Sequence, residues 1–232
     1  VDGSDTLIAT NGGLLENRRM REAAMLLSLS MQANALLLKG RTVEAEAMLA
    51  EGVAGLEERS IHNHFNARIP LGWALRENGK PERSIEVLRA VVAAKLVFDV
   101  DRQTLLNQLA ASHLALGRPA EALGFARQAV EFEKSLAPFA PDGAEAFLVQ
   151  GRALLELGRA LEASESLAIA DAFWRSFGPD PAWAAEAAYW YGRALSEAGD
   201  PGRGTGLVDR ALPVLKLSPM PSHRALAAGF TS

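Results

Sequence analysis

Residues 103–135 read QTLLNQLAASHLALGRPAEALGFARQAVEFEKS. Before Gly117, Leu106, Leu109, Ala110, His113 and Leu114 recur at helical spacing; after it, Ala122, Leu123, Ala126 and Ala129 do the same. Gly117-Arg118-Pro119 therefore joins two amphipathic helices. Their apolar faces are rich in small residues, which let two helices approach closely.

The same unit recurs along the chain. Gly40, Gly79, Gly117, Gly158 and Gly199 mark five joints, spaced 39, 38, 41 and 41 residues apart. A period in this range is the signature of a solenoid rather than a globule. Each glycine is placed to close a first helix in the left-handed conformation that satisfies its last carbonyls. Seven residues before the glycines sit Ala33, Gly72, Ala110, Gly151 and Gly192. Five after sit Ala45, Ser84, Ala122, Ala163 and Gly204, and twelve after sit Gly52, Val91, Ala129, Ala170 and Ala211. The first column should pack on the second helix of its own unit, and the later columns should accept the neighbouring helix. Enlarging one of these residues would overpack the contact at a cost of about 1–3 kcal/mol.

Composition agrees with close-packed helices. Of 232 residues, 49% are hydrophobic but only 6% aromatic, so Ala, Leu and Val dominate the apolar content. A net charge of -4 argues against nucleic acid, which needs clustered Lys and Arg. The absence of cysteine excludes disulfides and thiolate metal sites and fits the cytoplasm. Charged or amide residues interrupt every apolar run before membrane-spanning length, so no membrane insertion is expected. Nothing in the spacing sets an oligomeric state. The chain begins at Val1 rather than Met, which suggests part of a longer protein.

Three stretches carry a family resemblance: LLNQLAASHLALGRPAEALGFARQAV at 105–130, AFLVQGRALLELGRALEASESLAIA at 146–170 and YWYGRALSEAG at 189–199. They resemble tetratricopeptide repeats, and the likeness covers roughly residues 24–217. It implies an all-α, right-handed superhelix of about five helix–turn–helix repeats, over 24–58, 62–97, 101–135, 143–176 and 182–217. Residues 1–13 would be a flexible leader and 14–217 the repeat domain. Residues 218–232 would form a tail in which Ser222 caps a short helix to Phe230, covering the apolar end of the last repeat. The period exceeds the basic 34 or so residues of the family, and the proline that ends second helices there is replaced by Glu57, Leu96, Lys134, Arg175 and Lys216. The extra residues should lengthen second helices or connections. Phe177-Gly178-Pro179-Asp180-Pro181 is similar to the connection in the longer repeats of kinesin light chains and of bacterial signalling proteins, such as the C-terminal regions of Ser/Thr kinases.

Two places depart from the pattern. Pro70 falls inside a first helix and should kink or restart it. Gly202, Gly204 and Gly206 should weaken the last second helix, at about 0.5–1 kcal/mol each.

No stretch carries catalysis. His62 and His64 lie two apart near a helix entry capped by Ser60, short of the three or four ligands zinc needs. The Gly202-Gly204-Gly206 run follows a helix, not the strand a dinucleotide loop requires. Ser112 and His113 are adjacent on one helix, so their side chains diverge, and Ser222 with His223 lacks an orienting acid. No catalytic residue, metal or cofactor is expected.

The resemblance implies instead a concave groove lined by first helices. Carried over by position, the candidate partner contacts are Asn34, Asn66, Ile69, Trp73, Arg76, Asn107, Arg152, Tyr189 and Arg193. Further lining would come from Leu27, Ser30, Leu37, Thr104, Ala111, Leu114, Glu145, Leu148, Leu155, Glu186 and Ser196. The asparagines suit a peptide backbone, the arginines a carboxylate, and Trp73 and Tyr189 apolar anchors. The lysines of the family's carboxylate clamp are absent. The expected role is a non-enzymatic scaffold binding a peptide or partner helix. The alternative is the regulatory or sensor region of a larger bacterial signalling protein, a Ser/Thr kinase or transcription regulator.

Overall fold

The computed structural model describes residues 21, 24–25, 28–58, 65–94, 99–133, 140–178 and 181–229. The leader 1–13, the helical pattern from Leu14 to Met20, Leu27, Ser60, His62, His64, Pro179, Asp180 and Phe230 lie outside them. Among the described residues there is no strand. Helix α1 covers residues 28–38, followed by α2 (Thr42–Glu58), α3 (Phe65–Glu77), α4 (Pro81–Ala94), α5 (Asp99–Ala115) and α6 (Pro119–Glu133). Then come α7 (Pro141–Glu156), α8 (Ala160–Phe177), α9 (Pro181–Glu197), α10 (Pro201–Leu217) and α11 (Pro221–Gly229).

The five joints share one geometry. Gly117 has φ 64°, its N–H donates to Leu114 O, and the next N–H, of Arg118, reaches back to His113 O. The same long closure recurs from Arg41 to Leu36, Lys80 to Leu75, Arg159 to Leu154 and Asp200 to Leu195. This is the Schellman turn, and it needs a residue at positive φ, where only glycine is unstrained. Proline opens α4, α6 and α10 immediately beyond their joints, where its missing N–H costs nothing and its fixed φ suits the first turn.

Each first helix packs on its own second helix, and successive first helices also meet: α3 with α5, α5 with α7, and α7 with α9. Among the described residues no comparable contact joins one second helix to the next. First helices therefore form the inner layer and second helices the outer one, which bends the stack into an all-α superhelix with a concave interior. Phe125 of α6 touches three successive apolar clusters and helps make the core continuous through the stack. The second helices α2, α8 and α10 run 17, 18 and 17 residues, whereas α4 and α6 have 14 and 15, so the lengthening is confined to some units.

The small-residue columns set the helix spacing. A Cβ on Gly72 would lie 2.7 Å from the Leu88 side chain of its own unit, and one on Gly192 would lie 2.6 Å from Gly204 O. The later columns face both ways. Ser84 Oγ donates to Gly72 O within its unit and meets Ser112 Oγ of the next at 2.8 Å, while Gly52 lies against Leu29 of its own unit.

Helix α3 does not restart at Pro70: it runs from Phe65 to Glu77 with Pro70 buried inside it. Helix α10 is continuous through its three glycines and also through Pro213. Here Gly204 is what permits contact with α9, and Asp200 caps the helix by accepting from Arg203 N–H.

Gly204→Ala should therefore drive a methyl into the Gly192 carbonyl and Ser196, destabilising the protein by about 1–3 kcal/mol. Gly124→Ala, on α6 with nothing near its Cβ, should stabilise by about 0.4–1 kcal/mol. Thermal melts followed by circular dichroism check both, at about 2–4 °C per kcal/mol for a chain of this size.

Candidate functional site: a concave channel closed by the last helix

The inner layer does not stand open. Beyond α10 the chain turns at Ser218 and Pro219, and α11 lies across the concave face. Its second half seals the fifth unit, where Leu226 and Ala227 join Ala185, Tyr189, Val208, Ala211 and Leu215. Its first half reaches the opposite end of the stack. Ser222 N–H donates to Glu77 Oε2 at 3.1 Å, and Pro219 sits so close to Gly40 that a Cβ there would lie 2.7 Å from the Pro219 carbonyl carbon. Ser222 is therefore inside α11 rather than its cap. Ser218 Oγ accepts from Met220 N–H instead, and Arg224 Nη1 ties down the Ser218 and Pro219 carbonyls at 2.9 and 2.6 Å.

Between α11 and the first helices lies a cavity of about 340 Å³, walled by α3, α5, α7, α9 and α11. Its polar wall is one connected network. Arg152 Nη1 meets Glu186 Oε1 at 3.2 Å, with its guanidinium 4.7 Å over the Trp190 ring. Glu186 Oε2 lies 3.1 Å from His223 Nε2, and His223 Nδ1 lies 2.8 Å from Ser218 Oγ. Glu77 Oε1 accepts from Arg76 Nη2 and Trp73 Nε1. Trp183 closes the apolar side, 6.3 Å from Trp73, 6.0 Å from Trp174 and edge-on to His223 at 5.1 Å. Arg76 Nη1, Arg152 Nε and Trp190 Nε1 are buried donors that find no acceptor.

Charge is divided unequally among the acids. Burial, reinforced by the charge of Glu186, pushes Glu145 up to about 7. Burial alone would raise Glu186 too, but the hydrogen bond and charge of His223, with Arg152 and Arg76, bring it down to about 2. Burial opposes a charge on His223, yet Glu186, then Glu77 and Glu145, hold its pKa above the ordinary value. Glu186 is thus the ionised partner of a histidinium, and Glu145 carries a proton for much of the neutral range.

The sequence-derived contacts divide by column. Trp73, Arg76 and Arg152 enter this network, and Ala111, Glu145 and Glu186 line the cavity. The column ten residues before each joint does not. Ile69, Asn107, Leu148 and Tyr189 are 5%, 1%, 1% and 3% exposed, turned into helix–helix contacts. Asn107 Nδ2 donates to Asp142 O of the next unit, and Thr104 bonds the Asp142 side chain. Leu37, Leu114 and Leu155 are core as well. Arg193 pairs with Glu197 away from the cavity, Ser196 bonds Gly192 O, and Asn34 is exposed on α1. Asn66 lies in α3, with its side chain outside the described residues. Glu77, Trp183, Ser218 and His223 were missed. Glu145 and Glu186 both stand thirteen residues before their joints, a register that placed them on one face.

Of the chemical readings, that of His223 changes most: it does have an acid beside it, Glu186, and its other ring nitrogen meets Ser218 rather than Ser222. His113 is buried and ring-packed on Phe125 at 5.3 Å, with no partner for either nitrogen. Burial first, then the Arg89 and Arg118 charges, hold its pKa below the ordinary value. Ser112 Oγ donates to Gln108 O. Among the described residues no group of three acids or histidines is placed to hold a metal, and no helix is long and apolar enough to cross a membrane.

Residues 103–136 match a tetratricopeptide repeat model, and residues 26–51 match a second. A putative kinesin light chain from Podosopora anserina, built of nearly identical TPR-like repeats, shares the fold with TM-score 0.61 at 23% identity, over 83% of this chain and 95% of that one. BtubC (BKLC) from P. vanneervenii gives TM-score 0.64 at 18% identity, over 92% and 91%. The MamA protein gives 0.52 at 16% identity, over 82% and 92%. No curated protein matches the chain in sequence. Two segments of the chain therefore match tetratricopeptide repeats, and the chain as a whole shares the fold of such repeat proteins. Its longer repeats build the fold of kinesin-light-chain-like proteins.

The network fixes a pH profile. Glu186 binds its proton less tightly folded than unfolded, so its stabilisation is present above its ordinary 4.5 and is lost as pH falls toward about 2. Glu145 and His223 bind protons more tightly when folded. Their stabilisation is complete below the ordinary values of 4.5 and 6.5 and is lost as pH rises, through about 7 for Glu145 and above 6.5 for His223. Melting temperature should therefore fall as pH rises from about 4.5 through about 7, and further above 6.5 as His223 titrates, and Glu145→Gln should flatten the part of the fall below about pH 7. Melts across the range test it; a flat wild-type profile would contradict the assignment.

Proposed function

We propose that this chain is a non-catalytic protein-interaction scaffold of the cytoplasm that takes a peptide or partner helix in its concave channel. The observation that carries this reading is the channel wall. Arg152, Arg76, Trp183 and Trp190 come from three different helices and line one cavity of about 340 Å³, with Trp73 backing it through its contact with Trp183 and its hydrogen bond to Glu77. Trp and Arg are the residue types that most often dominate binding energy at interfaces. A helical segment already lies against this wall, which supports its fitness for another.

Capture of a binding partner should be lost in the Trp73→Ala, Arg152→Ala double variant, by at least about tenfold, if each residue is worth the ~2 kcal/mol typical of an interface anchor. Far-ultraviolet circular dichroism should keep its helical signal. Affinity capture by the purified chain, with quantitative mass spectrometry of wild type against variant, reads the result. Equal recovery of every captured protein by the folded variant would refute the channel.

A further inference from the structure

We propose that segment 218–229 is a resident ligand of the channel, exchangeable for a separate peptide of the same chemistry: a proline-started helical turn with a basic ring or guanidinium at its third position. The proposal rests on the channel being the binding site and adds what regulates it and what it selects.

Four observations carry it. First, the segment meets the channel as a ligand would. The N-terminus of α11 points a backbone N–H at the Glu77 carboxylate, and its third residue, His223, inserts between Glu186 and the Trp183 ring. A carboxylate at a helix N-terminus is favourable, so Glu77 reads the turn while Glu186 reads the cation. Second, these contacts are polar and sit at one end of the segment, whereas the apolar grip of Leu226 and Ala227 holds the other end to the fifth unit. The first half can leave while the second stays. Third, the fit is incomplete: a cavity remains under α11, and Arg76 Nη1, Arg152 Nε and Trp190 Nε1 around it have no acceptor. A tighter occupant has room to satisfy them. Fourth, Ser222 meets Glu77 across 145 residues of sequence. The segment therefore bridges the second unit and the fifth, and releasing it would leave both free to receive a chain between them.

His223 faces Glu186 from α9, Glu77 and Arg76 from α3, and Glu145 and Arg152 from α7. Reversing its charge should therefore expel the segment while leaving the channel wall intact. The probe is a fluorescein-labelled synthetic peptide of residues 216–229, titrated by anisotropy into the full chain. Two variants of the full chain release the resident copy. His223→Glu sets a carboxylate against Glu186, and Ser222→Pro removes the N–H that Glu77 accepts. Either should bind the probe at least about tenfold more tightly than wild type does, because the resident segment no longer competes. A probe that itself carries His223→Glu should bind at least about tenfold more weakly to both variants. The proposal is overturned if folded variants bind no more tightly than wild type, or bind both probes alike. It is also overturned if both variants unfold, since a segment whose release melts the repeats is a structural cap and not a ligand. Either failure leaves the channel itself to be judged by the Trp73 and Arg152 substitutions.

Discussion

Two helices can lie close together only where neither presents a large side chain at the crossing. That steric condition underlies every level of this protein. Gly72, Ala110, Gly151 and Gly192 admit the second helix of their own unit, and Ser84, Ala122, Ala163 and Gly204 admit the first helix in return. Where both partners are glycine, as at Gly192 and Gly204, backbone lies on backbone. Repetition of the condition makes the units alike, and alike units stack with a constant turn. The inner layer curves because, among the described residues, successive first helices pack together more closely than successive second helices do. The channel is the inside of that curve.

On this frame the site is assembled from residues far apart in sequence. Glu145 and Glu186 hold equivalent places in adjacent repeats, yet their surroundings make them opposites, one holding its proton and the other ionised against histidine. Two carboxylates sharing a low-dielectric space cannot both ionise cheaply. The presence of His223 beside Glu186 decides which does. The last helix therefore contributes more than a lid over apolar surface. It completes the charge distribution of the channel it covers.

The fold was largely legible because it is written in local rules. Glycine at five joints, small residues at three fixed offsets and alternating apolar faces each state the same architecture, and they agree. At Pro70 the helix does not restart as the local rule allowed, and Gly202, Gly204 and Gly206 lie within a continuous helix in which Gly204 serves the contact with α9. The channel was half legible. Of the positions six residues before a joint, Trp73, Ala111 and Arg152 do face inward, whereas Arg193 pairs with Glu197 away from the cavity. Positions ten before it, Ile69, Asn107 and Tyr189, lie a full turn away and rotate onto the adjacent helix, a distinction of about 40° of arc (four residues turn ~400°) that a straight-helix register cannot resolve once the stack twists. Glu77, Trp183 and His223 were illegible as a site. Each looks like an ordinary residue of its own helix, and only the path of the chain beyond Leu217 brings them together.

The meeting of Pro219 with Gly40 has a consequence for how the molecule comes apart. A repeat stack ordinarily behaves as a one-dimensional array in which each unit feels only its neighbours, so its ends fray independently. Here the joint of the first unit and the turn after the last are in contact, which makes the array a closed circuit. Loosening either end withdraws support from the other, and the stability of the middle is shared by both. Closure also joins residues separated by most of the chain, so it belongs to the late, slow part of folding, after the local hairpins have formed. The contacts that close the channel are therefore among the last to form.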